Sequence, residues 1–199
     1  NSYPHGRTHR HQRWHQASGR RPAPALQRYA LVLIVAGFDV GINGGAAALS
    51  VGEMGTTLLD CIALPTIADG SNRQIDVCRL GLWLEQVCPD VAYVENVTPM
   101  PSTGVDRRSM GATSAFRFGM ACGAIRASLV SYSIPVVLVT PQSWKRSLGF
   151  PRGSDKEASR QMALERVPDS ARFLKLKKSH NVAESILIAL YGASQKGSL

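Results

Sequence analysis

The sequence predicts an α/β domain built on a mixed five-stranded sheet, with the first three strands antiparallel and helices flanking them. Three observations predict it. A wholly apolar run, Leu31 to Phe38, reads as a buried central strand. Two further β-rich runs follow within one short turn of each other, as in a meander. From there strands and helical patterns alternate to the last apolar helix.

The central run ends in Asp39, and Gly41 to Gly45 makes the turn after it. Ala46 to Val51 and Thr56 to Leu64 are the next two strands, joined at Glu53-Met54-Gly55. Residues 72–88 carry Ile75, Cys78, Leu82, Leu84 and Val87 at roughly helical spacing, which predicts a helix with that face inward. Asp90 to Glu95 is a short strand ending in a carboxylate, and residues 99–111 form a Pro/Gly/Ser loop. A helix over 112–131 repeats Ala115, Gly119, Gly123 and Ala127 every fourth position, a small stripe that lets it press close to the sheet or to another helix. Pro135 to Thr140 is a strand, and Lys156 to Glu165 and Asn181 to Tyr191 are helices. The order is β-β-β-α-β-α-β-α-α, with no internal repeat.

At 44% hydrophobic residues over 199 positions, the chain buries an ordinary core, which excludes a disordered chain and a small disulfide scaffold. The run Tyr29 to Phe38 is too short to span a bilayer, so no membrane partner is expected. Cys61, Cys78, Cys88 and Cys122 show no zinc-type spacing; Cys61 and Cys122 read as core thiols. The net charge of +9 is unevenly distributed. Residues 1–28 hold six Arg and no acid, and read as a disordered basic arm that also suits a transit-type peptide. Residues 29–199 form the folded domain. Within it, residues 29–106 set two Arg against nine acids, and residues 107–199 set fifteen Lys and Arg against five. An acidic half before a basic half points to a carboxylate site beside a basic surface.

Three carboxylates break local apolar logic. Asp39 and Glu95 end apolar strands, and Glu184 shares its helical face with Leu187, Ile188 and Tyr191. His180 stands one turn before Glu184. Singly, each has an ordinary alternative: a strand-ending turn, a strand terminus, an acid near a helix N-terminus, a helix-capping histidine. Together they point to one cluster, because a buried ionised carboxylate is costly unless paired or bound to a cation. Such a cluster suits phosphodiester hydrolysis, in which two divalent ions about 4 Å apart activate water and neutralise the phosphate. Mg²⁺ prefers oxygen ligands and retains waters, so few carboxylates suffice.

These residues lie in blocks that resemble the RuvC-type Holliday junction resolvases. The blocks are Gly37-Phe38-Asp39-Val40-Gly41, Tyr93-Val94-Glu95-Asn96, Ser114 to Gly123, Thr140-Pro141-Gln142-Ser143-Trp144-Lys145-Arg146 and Lys177 to Ser185, spanning about residues 34–192 in family order. The phage, proteobacterial and plastid branch is the most similar. The resemblance implies an RNase H-like fold and a Mg²⁺-dependent homodimer, with Mn²⁺ able to substitute, that nicks four-way or branched DNA symmetrically. It implies that Asp39, Glu95, His180 and Glu184 are the catalytic and metal residues, with Asn181 an alternative to His180. Lys145 and Lys156 match basic residues near the scissile phosphate. Arg107, Arg108, Arg146, Lys177 and Lys178, with Arg152, Arg160 and Lys175, complete the expected DNA-facing surface. The loop over 97–110 lies where the family inserts a wedge into the junction, and Met100 is its large apolar residue. The implied location is the cytoplasm of a bacterial or phage-infected cell, or an organelle if residues 1–28 are a transit remnant.

The departure from the branch is Ser179, which stands where Asp is usual. If that Asp is a ligand, the change weakens metal binding and favours a catalytically impaired, junction-binding relative. An actin-like ATPase module also begins with an Asp-x-Gly turn, but it needs a second such strand and roughly twice this length.

Overall fold

The computed structural model describes residues 32–97, 111–151, 153–176 and 179–196. Strand β1 (Leu33–Asp39) is central. It pairs antiparallel with β2 (Gly45–Gly52), and β2 pairs antiparallel with β3 (Gly55–Ala63). On its other side β1 runs parallel to β6 (Val91–Glu95), which runs parallel to β7 (Val136–Val139). The sheet order is therefore β3-β2-β1-β6-β7, the expected mixed sheet with an antiparallel first half. The crossover between β1 and β6 carries a small hairpin of β4 (Thr66–Asp69) and β5 (Asn72–Ile75), then helix α1 (Val77–Val87). Helices α2 (Ala112–Ser131), α3 (Pro141–Ser147), α4 (Lys156–Arg166) and α5 (His180–Lys196) complete the fold, with a 3₁₀ turn at Pro168–Arg172.

Strand alternation divides the core between the two faces of the sheet. Val35, Leu49, Val91 and Tyr93 pack with α4 and α5, through Ala163, Ile186, Leu187 and Ala189. Ala36, Phe38, Ala48, Ala92 and Val94 pack with α1 and α2, through Leu80, Trp83, Leu84, Ile125 and Leu129. Each fully buried Leu, Ile or Phe contributes about 1.5–3 kcal/mol relative to exposure. Helix α5 lies directly on β1. A Cβ at Gly37 would overlap the backbone nitrogen of Ala189 and the carbonyl oxygen of Ser185, so only glycine admits the helix at that depth.

Four expectations change. Residues 72–75 are a strand, not helix: Gly70 (φ +58) turns the β4–β5 hairpin, and α1 starts only after Asp76, whose side chain accepts from the Arg79 N–H at 3.1 Å. The inward face of α1 is Leu80, Trp83, Leu84 and Val87, whereas Cys78 and Leu82 are exposed. The small stripe of α2 does not meet the sheet. Among the described residues, a Cβ at Gly119 or Gly123 would touch nothing within 4 Å, and the buried face is Ala121, Ile125, Ser128 and Leu129. Helix α3 was not expected. Thr140 caps it by accepting from the Ser143 N–H at 3.2 Å, and Pro141 occupies its first position. No helix among the described residues is long and apolar enough to cross a membrane.

Candidate functional site

Asp39 follows Phe38 in β1, so alternation turns it to the face shared by Val35, the face covered by α5. Glu95 follows Val94 in β6 and shares the face of Tyr93, which is the same one. Phe38 and Val94 are register partners in the parallel pair, so the two carboxylates end neighbouring strands side by side. Both are buried, at 8% and 7% exposure. The carboxyl ends of parallel strands are where open α/β sheets place their sites. Helix α5 crosses this face and brings Glu184 to the same end, one turn after His180, at which the helix begins.

Neighbouring side chains hold both glutamates. The indole N–H of Trp144 donates to Glu95 Oε1 at 2.9 Å. Lys145 Nζ donates to Glu184 Oε1 at 3.2 Å, and Ser159 Oγ donates to the same oxygen at 3.0 Å. Among the described residues, nothing donates to Oε2 of either carboxylate. Burial pushes the Glu95 carboxyl above its usual range. The Trp144 hydrogen bond opposes the rise, the Glu184 charge adds to it, and the Lys145 charge opposes it.

The donor chemistry fits a hard divalent ion, being carboxylate oxygen with one imidazole alongside. Among the described residues, no group of three or more His, Cys, Asp or Glu side chains is already gathered to hold one. Glu184 instead faces the ammonium of Lys145.

The start of α5 is tied to the turn after β1. Asn181 Nδ2 donates to the carbonyl of Asn43, and Arg73 Nη2 donates to Asn43 Oδ1 at 2.8 Å. A Cβ at Gly45 would meet Asn181 O at 2.7 Å and Val182 Cα at 2.8 Å, so β2 and α5 are in close contact there. A pocket of about 470 Å³ opens at this junction, lined by Asn43, Gly44, Leu64, Arg73, His180 and Asn181 among others. A larger groove of about 860 Å³, between the β4–β5 hairpin and α2, touches none of the three carboxylates.

Of the expected DNA-facing residues, Lys145 and Arg146 lie on α3; Lys145, half-exposed, contacts Glu184, and Arg146 is exposed. Lys175 is exposed. Arg160 does not join them: it grips Glu157 at 2.6 Å and donates to the Leu174 carbonyl at 3.1 Å. Arg107, Arg108, Arg152, Lys177, Lys178, Met100, the side chain of Lys156 and the arm over 1–28 lie outside the described residues.

Sequence reasoning missed the supporting residues. Trp144 lies inside a motif block that assigns it no role, although Thr140-Pro141 before it is a helix-start signal. Ser159 carried no signal at all. Asn96 and Arg126, joined at 3.2 Å beside Glu95, were also missed, and Arg126 Nε is buried with no acceptor among the described residues.

Three antiparallel strands followed by two parallel ones, with helices on both faces and carboxylates at the ends of β1 and β6, define an RNase H-like domain. Comparison with solved structures agrees. Thermus thermophilus RuvC in complex with Holliday junction substrate is similar over 83% of this chain and 98% of that one, at 20% identity and a TM-score of 0.57. A second Thermus thermophilus RuvC structure is similar over 83% and 97%, at 22% identity and a TM-score of 0.54. No family model and no curated protein matches the chain.

Proposed function

We propose that this protein is a metal-dependent, structure-selective endonuclease that resolves four-way DNA junctions by paired symmetric nicks. One observation carries the reading: Asp39, Glu95 and Glu184 reach one end of one sheet face from β1, β6 and α5, with two of them buried in an otherwise apolar strand setting. The solved neighbour of the same fold is described in complex with a Holliday junction.

On this reading Asp39, Glu95 and Glu184, with His180 or Asn181, hold Mg²⁺ or Mn²⁺. Bound there, the ion supplies Lewis acidity and neutralises charge on the phosphate. On the same reading His180, if it is not a ligand, serves as the general base. A cation held by Glu184 would displace Lys145 from it, and the ammonium would then be available to a phosphate. Lys145, Arg146 and Lys175 supply sequence-independent backbone contacts, together with Arg107, Arg108, Lys156, Lys177 and Lys178. Two nicks related by symmetry need two such centres, so a homodimer is part of the proposal; the open small-residue face of α2, with exposed Phe116 and Met120 beside it, is compatible with a second copy. A DNA substrate places the protein where that DNA is, in a bacterial or phage-infected cytoplasm or an organelle.

A second reading is a junction-binding relative with impaired cleavage. Ser179, in the position where Asp is usual, favours it, as does the lack of an already gathered three-residue ligand group among the described residues. Incubating the protein with a synthetic four-way junction, a duplex and a fork, with and without Mg²⁺, separates the two. Junction-selective nicking in Mg²⁺ supports the first reading, and selective binding without nicking supports the second.

A further inference from the structure

Helix α3 sends two adjacent side chains to two different carboxylates. Lys145, half-exposed, meets Glu184, while Trp144, fully buried, meets Glu95. The tryptophan is held on every side: its ring packs edge-on against Phe150 at 5.7 Å and 85°, and it belongs to the core shared with α4 and α5. Any buried indole needs an acceptor for its N–H, and a backbone carbonyl would serve. Here the acceptor is a carboxylate oxygen 49 residues away, at the end of a central strand.

The geometry points to Trp144 as a positioning residue that fixes the rotamer of Glu95 by binding Oε1, leaving Oε2 for a cation or a water. The inference rests on the nuclease reading of Asp39, Glu95 and Glu184. An indole suits the task because it has one donor and no charge. It orients the carboxylate without competing for it as an ammonium does. Partners of this kind, hydrogen-bonded to ligating carboxylates, typically matter about 10- to 100-fold to metal affinity or activity.

The test uses the full chain. In ¹⁵N–¹H correlation spectra, W144F assigns the Trp144 indole signal by its loss. E95Q replaces a charged acceptor by a neutral one. It is expected to move that signal while leaving the indole of Trp83, bound to Asp60 at 2.8 Å, in place. An unmoved Trp144 signal overturns the contact. In junction nicking, W144F is expected to lower kcat by about 10- to 100-fold with KM unchanged. F150L, which loosens the packing of the ring but keeps its N–H, is expected to retain most of kcat. Equal losses in W144F and F150L make the indole a packing element and overturn the proposal, as does a W144F kcat equal to wild type. A wild-type protein that nicks no junction overturns the nuclease reading itself, and the catalytic role of Trp144 with it. The spectral shift still reports on the contact in that case, so the two failures are distinguishable.

Discussion

Lys145 Nζ stands 3.2 Å from Glu184 Oε1, the same oxygen that Ser159 Oγ reaches at 3.0 Å. On the proposed reading, this ammonium and an incoming Mg²⁺ contend for one carboxylate. Lys145→Met removes the competing charge. By mass action it is expected to enlarge the rise in Tm that a fixed Mg²⁺ concentration produces. Thermal unfolding of both proteins with and without Mg²⁺ measures this; an equal rise in both contradicts the competition.

The depth at which α5 sits on β1 depends on Gly37. Alanine there forces its Cβ into the backbone of Ala189 and Ser185, which cannot yield as a flexible side chain would. Gly37→Ala is expected to cost about 1–3 kcal/mol or more, read from denaturant unfolding. Gly119→Ala on α2, where a Cβ meets none of the described residues within 4 Å, is the control and is expected to leave stability unchanged or slightly higher. Equal behaviour of the two variants would show that α5 is not in close contact with β1.

Glu95 gives stability a pH dependence of definite sign. Burial raises its folded pKa above the usual 4.5, so between those two values the folded state binds the proton more tightly than the unfolded chain does. Stability contributed by this group therefore falls as pH rises from about 4.5 through the raised value, and above it remains a constant cost. Glu95→Gln removes that cost. Without divalent cations, the variant is expected to be more stable than wild type at neutral pH, with the difference shrinking as pH falls. Tm measured across pH 4 to 8 reads it, and a variant less stable than wild type at neutral pH would contradict it.

The cysteines divide by burial. The Cys61 thiol is pushed up to about 12, mainly by burial, with Asp60 adding and Arg172 opposing. At pH 8 its thiolate is about one part in ten thousand. Cys78 and Cys88 are exposed. Alkylation of the folded protein is expected to modify Cys78 and Cys88 and to spare Cys61 until denaturant is added, as peptide mass spectrometry would show. Early modification of Cys61 would contradict its place in the core.

The carboxylates were legible because each is an interruption. A charged residue closing a strand as apolar as Leu31 to Phe38 marks itself, and so does a glutamate among Leu187, Ile188 and Tyr191. That Asp39 and Glu95 share one face follows from the Phe38–Val94 register of β1 and β6, which their sequences do not carry. Trp144 gave no comparable sign, since a tryptophan in an apolar setting looks like core whether or not its N–H has a task. Its partner is distant in sequence, and α3 has only seven residues, too few for a period to show. The β4–β5 hairpin was hidden for the same reason: β5, four residues long, merges into the helical pattern that follows it, and β4 is too short to show a period of its own. The stripe of α2 was misdirected because small size says how closely something can approach, not which side it approaches from.

The most direct measurement is cleavage of a synthetic four-way junction in Mg²⁺ by wild type and Asp39→Asn, with binding followed on the same substrate. Wild type is expected to nick two strands symmetrically and to spare duplex. Asp39→Asn is expected to bind with similar affinity and to lose more than about 100-fold in nicking rate, beyond the loss typical of an outer partner. Mg²⁺-dependent nicking by Asp39→Asn at the wild-type rate would contradict the assignment of the site.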